Sequence, residues 1–195
     1  MVEKEKAVRA FLAVEVPQRV RTYVWRTIED EQQKDMPIKW VNVENMHITL
    51  KFLGDIDEKQ QADVSHAVEQ ITHQHEVFAL NLKDIGCFPN PKYPRVLWVG
   101  VENGREALCA LAREIDGQLA GLGFEPEKRF HPHLTIARMR KPCVVDHILK
   151  RRLVTDTFEA TAVVLFQSTL TPHGPIYKAL ERCALQLSRS DGVSE

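Results

Sequence analysis

Apolar residues along this chain recur with two different periods, and the alternation between them sets out a series of elements. AVRAFLAVEV (7–16) is an almost unbroken apolar run ending at Pro17, and predicts a strand. The polar stretch from there to about Gln33 predicts a helix, and IKWV (38–41) a short strand. MHITLKFLG (46–54) alternates, with Met46, Ile48, Leu50 and Phe52 on one face and His47, Thr49 and Lys51 on the other, the period of a half-buried strand. Asp57 then predicts a helix cap, and Val64, Ala67, Val68 and Ile71 give a helical stripe up to about Thr72.

The second half repeats the rhythm. VFALNLKDIGCF (77–88) reads as a strand, PNPKYP (89–94) as a loop and RVLWVGV (95–101) as another strand. Residues 104–122 place Leu108, Leu111, Ala112, Ile115, Leu119 and Leu122 on one helical stripe, ended by Gly121 and Gly123. A strand containing HPHLTIAR (131–138) follows, then a short helix at about 144–153 and strands at 158–170 and 176–185. Long β-rich pieces joined by short connections predict an α+β protein with antiparallel sheets. Two His-x-Thr strands, each followed by a helix, point to two similar lobes in a single domain over residues 1–187. The polar tail SRSDGVSE (188–195) reads as disordered.

Composition narrows the function classes. The 26 Lys and Arg against 27 Asp and Glu leave a formal net charge of −1, so no global field draws the chain to nucleic acid or to a membrane, and any polyanion site must be local. The charged start MVEKEKAVRA has no apolar core of a signal peptide, and no run approaches a membrane span; a soluble, cytoplasmic monomer is the expectation. Four widely spaced cysteines, Cys87, Cys109, Cys143 and Cys183, read as reduced and mostly buried thiols.

The candidate chemistry lies in the repeated tripeptide. With eight histidines in the chain, a single His-x-Thr carries little weight. Two of them on strands carry more, because residues two apart point the same way. His47 and Thr49 share one face, as do His133 and Thr135, while Ile48, Leu50, Leu134 and Ile136 alternate toward a core. Two such strands side by side present two imidazoles and two hydroxyls to one small site. In-line displacement at phosphorus uses that set: one imidazole takes a proton from the nucleophile, the other gives one to the leaving oxygen, and the hydroxyls bond the non-bridging oxygens. Such a scheme requires no metal and no cofactor. The His-x-His pairs HQH (73–75) and HPH (131–133) offer a weaker metal reading, since neither His-Glu-x-x-His nor clustered carboxylates accompany them. His66, His73, His75 and His147 read as ordinary polar residues on or near helices.

Around the second motif, Arg129 and Arg138 are candidate substrate contacts, with a solvated basic rim as the alternative. Alternation puts Arg138 on the Leu134 face unless a bulge redirects it. Lys51, two residues past Thr49, carries the same choice. Phe88, Tyr93 and Arg95 flank the Pro-rich loop, to stack a base or, as favoured here, to anchor the loop. Trp40 and Trp98 read as core, and Tyr177 either reaches the site or packs.

With those residues in view, the chain resembles the 2H phosphoesterases, and among them the RNA 2′,3′-cyclic phosphodiesterases, also called 2′-5′ RNA ligases. The resemblance rests on HITL (47–50), HLTI (133–136), RAFLAVEVP, KWVNVENMHITLKFLGD, PRVLWVGV, RFHPHLTIAR and STLTPHGPIYKAL, and runs from about residue 7 to 185. It implies a bilobal α+β fold with a central cleft and helices outside. It also implies metal-independent opening of a terminal 2′,3′-cyclic phosphate on RNA, tRNA fragments included, to a 2′-phosphomonoester, with 2′-5′ joining as a reverse-type reaction. By similarity, His47 is the proton donor, His133 the proton acceptor, and Thr49 and Thr135 the phosphate-binding hydroxyls. His131 is an extra imidazole without an assigned role. A small cyclic nucleotide or 2′-5′ oligonucleotide substrate, or a non-catalytic RNA-end binding module, are the competing readings.

Overall fold

A computed structural model describes residues 7–172 and 174–187. Two four-stranded antiparallel sheets dominate it. The strands are β1 (Val8–Glu15), β2 (Ile38–Trp40), β3 (His47–Ile56), β4 (Phe78–Leu80), β5 (Leu82–Phe88), β6 (Val96–Val101), β7 (His133–Met139), β8 (Phe158–Ala160), β9 (Ala162–Thr171) and β10 (Gly174–Ala184). The first sheet runs β10-β9-β1-β3, the second β2-β7-β6-β5, and β4-β8 form a small third ladder. Each large sheet is one lobe, so the α+β bilobal reading holds. The helices are α1 (Gln18–Thr27), α2 (Glu29–Gln32), α3 (Glu58–Thr72), α4 (Arg105–Ala120) and α5 (Asp146–Leu149). The tail 188–195, read above as disordered, lies outside the described residues.

Local sequence accounts for most boundaries. β1 is a continuous apolar run because it is flanked by β3 and β9 and is buried from Ala10 to Val14. Asp57 caps α3 as expected: its side chain accepts from the Gln60 N–H at 2.7 Å, and the Gln60 side chain accepts from the Asp57 N–H at 3.2 Å. Val64, Ala67, Val68 and Ile71 form the buried stripe. In α4 the stripe is Leu108, Leu111, Ala112, Ile115 and Leu119; Leu122 falls past the helix end and is exposed. Gly104 starts α4 at φ 74°, where a Cβ would sit 2.1 Å from the Ala79 carbonyl oxygen, so the turn admits no side chain.

Several predicted elements are divided. The helix toward Gln33 breaks at Ile28, which is fully buried where α1 turns into α2. The run 77–88 becomes β4 and β5 in different sheets, and 158–170 becomes β8 and β9, because each run leaves one ladder to join another. The helix expected at 144–153 shortens to α5. Of the four cysteines, all free, only Cys183 is buried; the other three are half-buried, which corrects the expectation.

Bulges control which side chains face the cleft. Along β1 and β3 the register shifts so that Phe11 pairs Phe52, Leu12 pairs Lys51 and Ala13 pairs Thr49, leaving Leu50 and Leu53 as extra residues. Each extra residue reverses the alternation that follows it. Lys51 therefore turns inward and is 2 % exposed, while Phe52 turns outward and is 60 % exposed, the reverse of the expected faces. β7 does the same: Trp98 pairs Thr135 and Leu97 pairs Ala137, so Ile136 is extra, Ile136 and Ala137 are both buried, and Arg138 comes round to the exposed side.

Candidate active site

Both motif histidines are held by the same device. His47 Nδ1 lies 2.7 Å from the carbonyl oxygen of Asn45, and His133 Nδ1 lies 2.6 Å from that of His131. A carbonyl only accepts, so in each ring Nδ1 carries the hydrogen and Nε2 is left as the working atom. His47 Nε2 is 3.0 Å from Thr49 Oγ1, so in the neutral ring the Thr49 hydroxyl donates to it. Strand geometry puts Thr135 on the same face of β7 as His133, where Trp98 is its cross-strand partner.

The two rings sit among aromatics. His47 stacks on Phe11 with centroids 4.8 Å apart and takes the edge of Tyr177 at 5.2 Å; Phe11 in turn stacks on Phe166 at 5.3 Å. His133 meets Phe88 edge-on at 5.2 Å, and Phe88 also contacts Trp98 and His131. This burial strips water from both imidazoles. It lowers the His47 pKa to about 4 against the raising effect of the Asn45 hydrogen bond, and the charges of Arg138 and His133 add to the lowering. His133 is lowered for the same leading reason, with His131 and Arg138 adding to it. Both shifts favour the neutral ring.

Arg138 is within electrostatic reach of His47, His133 and Tyr177. The bulge thus brings a guanidinium toward the imidazole pair. Arg129 is exposed and lowers the pKa of His131, after burial and Arg105, so it belongs to the rim beside His131. Tyr177 joins the site through its ring. Lys51 does not: its ammonium is 2.5 Å from Asp116 Oδ1 and 2.8 Å from the Glu125 carbonyl oxygen, beneath the sheet. Trp98, expected in the core, walls the cleft instead, because β6 buries Leu97 and Val99 and leaves Trp98 half-exposed. Trp40 is partly buried against the core. Phe88 is part of the site, whereas Tyr93 and Arg95 are exposed.

The remaining histidines have partners elsewhere. His66 bonds Gln70, His73 the Glu69 carbonyl, His75 Glu114 and His147 Glu31. Among the described residues no three His, Cys, Asp or Glu side chains are grouped to hold a metal ion. Sequence reasoning missed Phe11, Phe166 and Asn45. Phe11 and Phe166 were hidden in runs that read as core, and Asn45 acts through its carbonyl, which no residue type signals.

Comparison with known proteins decides the family. The model for LigT-like phosphoesterases matches residues 14–98 and again 99–177. The chain belongs to the LigT-like phosphoesterase family. It is 36% identical over 179 residues to the RNA 2′,3′-cyclic phosphodiesterase of Methanothermobacter thermautotrophicus, covering 89% of this chain and 97% of that protein. It is 39% identical to the protein of the same name from Methanocaldococcus jannaschii, covering 89% and 98%. Among solved structures, Escherichia coli LigT complexed with 3′-AMP superposes with a TM-score of 0.79 at 25% identity, over 92% of this chain and 99% of that one. In this LigT-like enzyme the double match corresponds to the two His-x-Thr segments, one in each matched span.

Proposed function

We propose that this LigT-like phosphoesterase opens 2′,3′-cyclic phosphate ends of RNA to 2′-phosphomonoesters without a metal. The observation that supports it most is the matched anchoring of two imidazoles, each with Nδ1–H fixed to a backbone carbonyl, which leaves Nε2 as the basic nitrogen. In the proposed step His133 Nε2 takes a proton from water as its oxygen bonds phosphorus. The P–O3′ bond breaks and O3′ takes the proton from His47 Nε2, leaving a 3′-hydroxyl and a 2′-phosphate. Solvent then restores the two rings. The donor and acceptor roles follow the family resemblance.

Thr49 links binding to protonation. While His47 is neutral its Nε2 occupies the Thr49 hydroxyl hydrogen. Once Nε2 is protonated that hydroxyl is released to donate to a phosphate oxygen. Thr135 and Arg138 supply the other contacts, with Arg138 beside both rings. The phosphate therefore both raises the His47 pKa and recruits the hydroxyl next to it.

The cytoplasm as location, a monomeric enzyme, tRNA fragments among the substrates and 2′-5′ joining as the reverse-type reaction belong to the same reading. The named relatives support its RNA substrate class, and among the described residues no helix is long and apolar enough to cross a membrane. The test is a short RNA ending in a 2′,3′-cyclic phosphate, incubated in excess EDTA and followed by phosphorus NMR. A 2′-phosphate from the wild type, lost in His47→Ala and His133→Ala, is expected. An unchanged end with folded wild type overturns the reading. A salt series on the same assay separates RNA from a small nucleotide, since only RNA loses affinity steeply with salt.

A further inference from the structure

Lys51 is one of only four buried polar or charged residues among those described. A buried ammonium is costly unless fully bonded, and replacing both partners of such a pair by apolar residues of similar volume is often neutral in stability, whereas removing one partner alone destabilises. What the ion pair adds is direction. Asp116 Oδ1 accepts from Lys51 Nζ at 2.5 Å and from the Glu127 N–H at 3.1 Å, and Oδ2 accepts from the same N–H at 3.1 Å. Lys51 Nζ also donates to the Glu125 carbonyl at 2.8 Å. These bonds hold Asp116 below the ordinary carboxylate pKa although burial pushes it the other way.

The elements so joined are the two halves of the site. Lys51 lies on β3, two residues after Thr49 and four after His47. Asp116 is on α4, and Glu125 and Glu127 lie in the segment that runs from α4 into β7. Four residues beyond Glu127, the carbonyl of His131 receives Nδ1–H of His133 at 2.6 Å. Phe130, between them, packs against the core. At the matching place in the second lobe, four residues past His133, stands Ala137, buried without a polar group. One lock therefore serves both motifs.

We propose that Lys51 is a positioning residue that ties the His47–Thr49 strand to the segment delivering His131 and His133, and so sets the separation of the two imidazoles. The rate consequence rests on the phosphodiesterase reading above; the geometric one does not. Misplacing one ring by about 1 Å costs roughly 10²-fold in the chemical step.

Lys51→Met, Lys51→Arg and Asp116→Asn test it, with kcat and KM on the cyclic-ended RNA and the ring nitrogen shifts of both histidines by long-range 1H–15N NMR. Lys51→Met is expected to lose at least tenfold in kcat with KM changed less than threefold. His133 then shows both tautomers while His47 stays Nδ1–H, and Lys51→Arg recovers part of each effect. If Lys51→Met does not fold, Asp116→Asn, nearly isosteric, is read in the same way. A folded Lys51→Met or Asp116→Asn with unchanged kcat and unchanged His133 shifts overturns the proposal. If the wild type leaves the RNA end untouched, the substrate reading fails, and the His133 shifts still decide the lock.

Discussion

The imidazole of His47 lies on the phenyl ring of Phe11, centroids 4.8 Å apart and planes inclined by 28°. The ring face that Phe11 covers is closed to water and contributes to the burial that is the leading cause of the His47 pKa of about 4. Phe11→Leu keeps an apolar side chain and removes the flat cover. The His47 pKa is expected to rise toward the ordinary value near 6.5, read as a titration of the ring proton signals. The lost ring pair destabilises the fold by about 1 kcal/mol.

The lowered imidazole values make the fold acid-sensitive. Unfolded, both rings bind protons near pH 6.5. Folded, His47 resists protonation until about pH 4, and His133 is lowered too. The unfolded chain thus holds more protons in this window, so stability is full above pH 6.5 and falls as pH drops toward 4. Urea unfolding at pH 7, 6 and 5 is expected to show the midpoint falling, and falling less in His47→Gln. Equal slopes in the two proteins would exclude His47 as a source.

Substrate must reverse that preference. An anionic phosphate beside His47 favours the charged ring, so binding near pH 6.5 takes up a proton. Calorimetry of a non-hydrolysable nucleotide phosphate in buffers of differing ionisation enthalpy measures this directly; an uptake approaching one proton is expected. His47→Gln should lose it. The rate profile should correspondingly be bell-shaped, one ring being needed charged and the other neutral.

Gly86 faces Trp98 across the β5–β6 ladder, and a Cβ there would lie 2.3 Å from the indole ring. Gly86→Ala must therefore displace Trp98, and with it the wall against His131 at 5.3 Å. The expected outcome is a folded protein with shifted indole fluorescence and activity reduced about tenfold or more. Unchanged fluorescence and rate would show that the indole is free to move.

Much of this was legible in the sequence, and the exceptions share a cause. The pairing of His47 with Thr49 and of His133 with Thr135 follows from strand periodicity, as do the cap at Asp57 and the stripes of α3 and α4. Lys51 and Phe52 were misplaced because the extra residue at Leu50 reverses the faces that follow until the second one at Leu53, and an inserted leucine in an apolar run leaves no compositional mark. Arg138 was placed only conditionally for the same reason. Trp98 read as core because a large apolar residue in a strand is usually buried, whereas a site that must exclude water uses the same residues for its walls.

The path of the chain between the sheets carries one more consequence. β1 lies in the first sheet, β2 in the second, β3 in the first, β5 to β7 in the second, and β9 and β10 in the first again. The two spans that match the family model meet at residues 98 and 99, inside β6. Each span therefore holds strands of both sheets, and neither is a lobe. Cut at that point, the polypeptide would yield two fragments that each lack part of both sheets, and only their reassociation would rebuild either one. The internal duplication is thus a symmetry of the finished object and not of its pieces: the enzyme is woven, and its two motif histidines are held together by the weave.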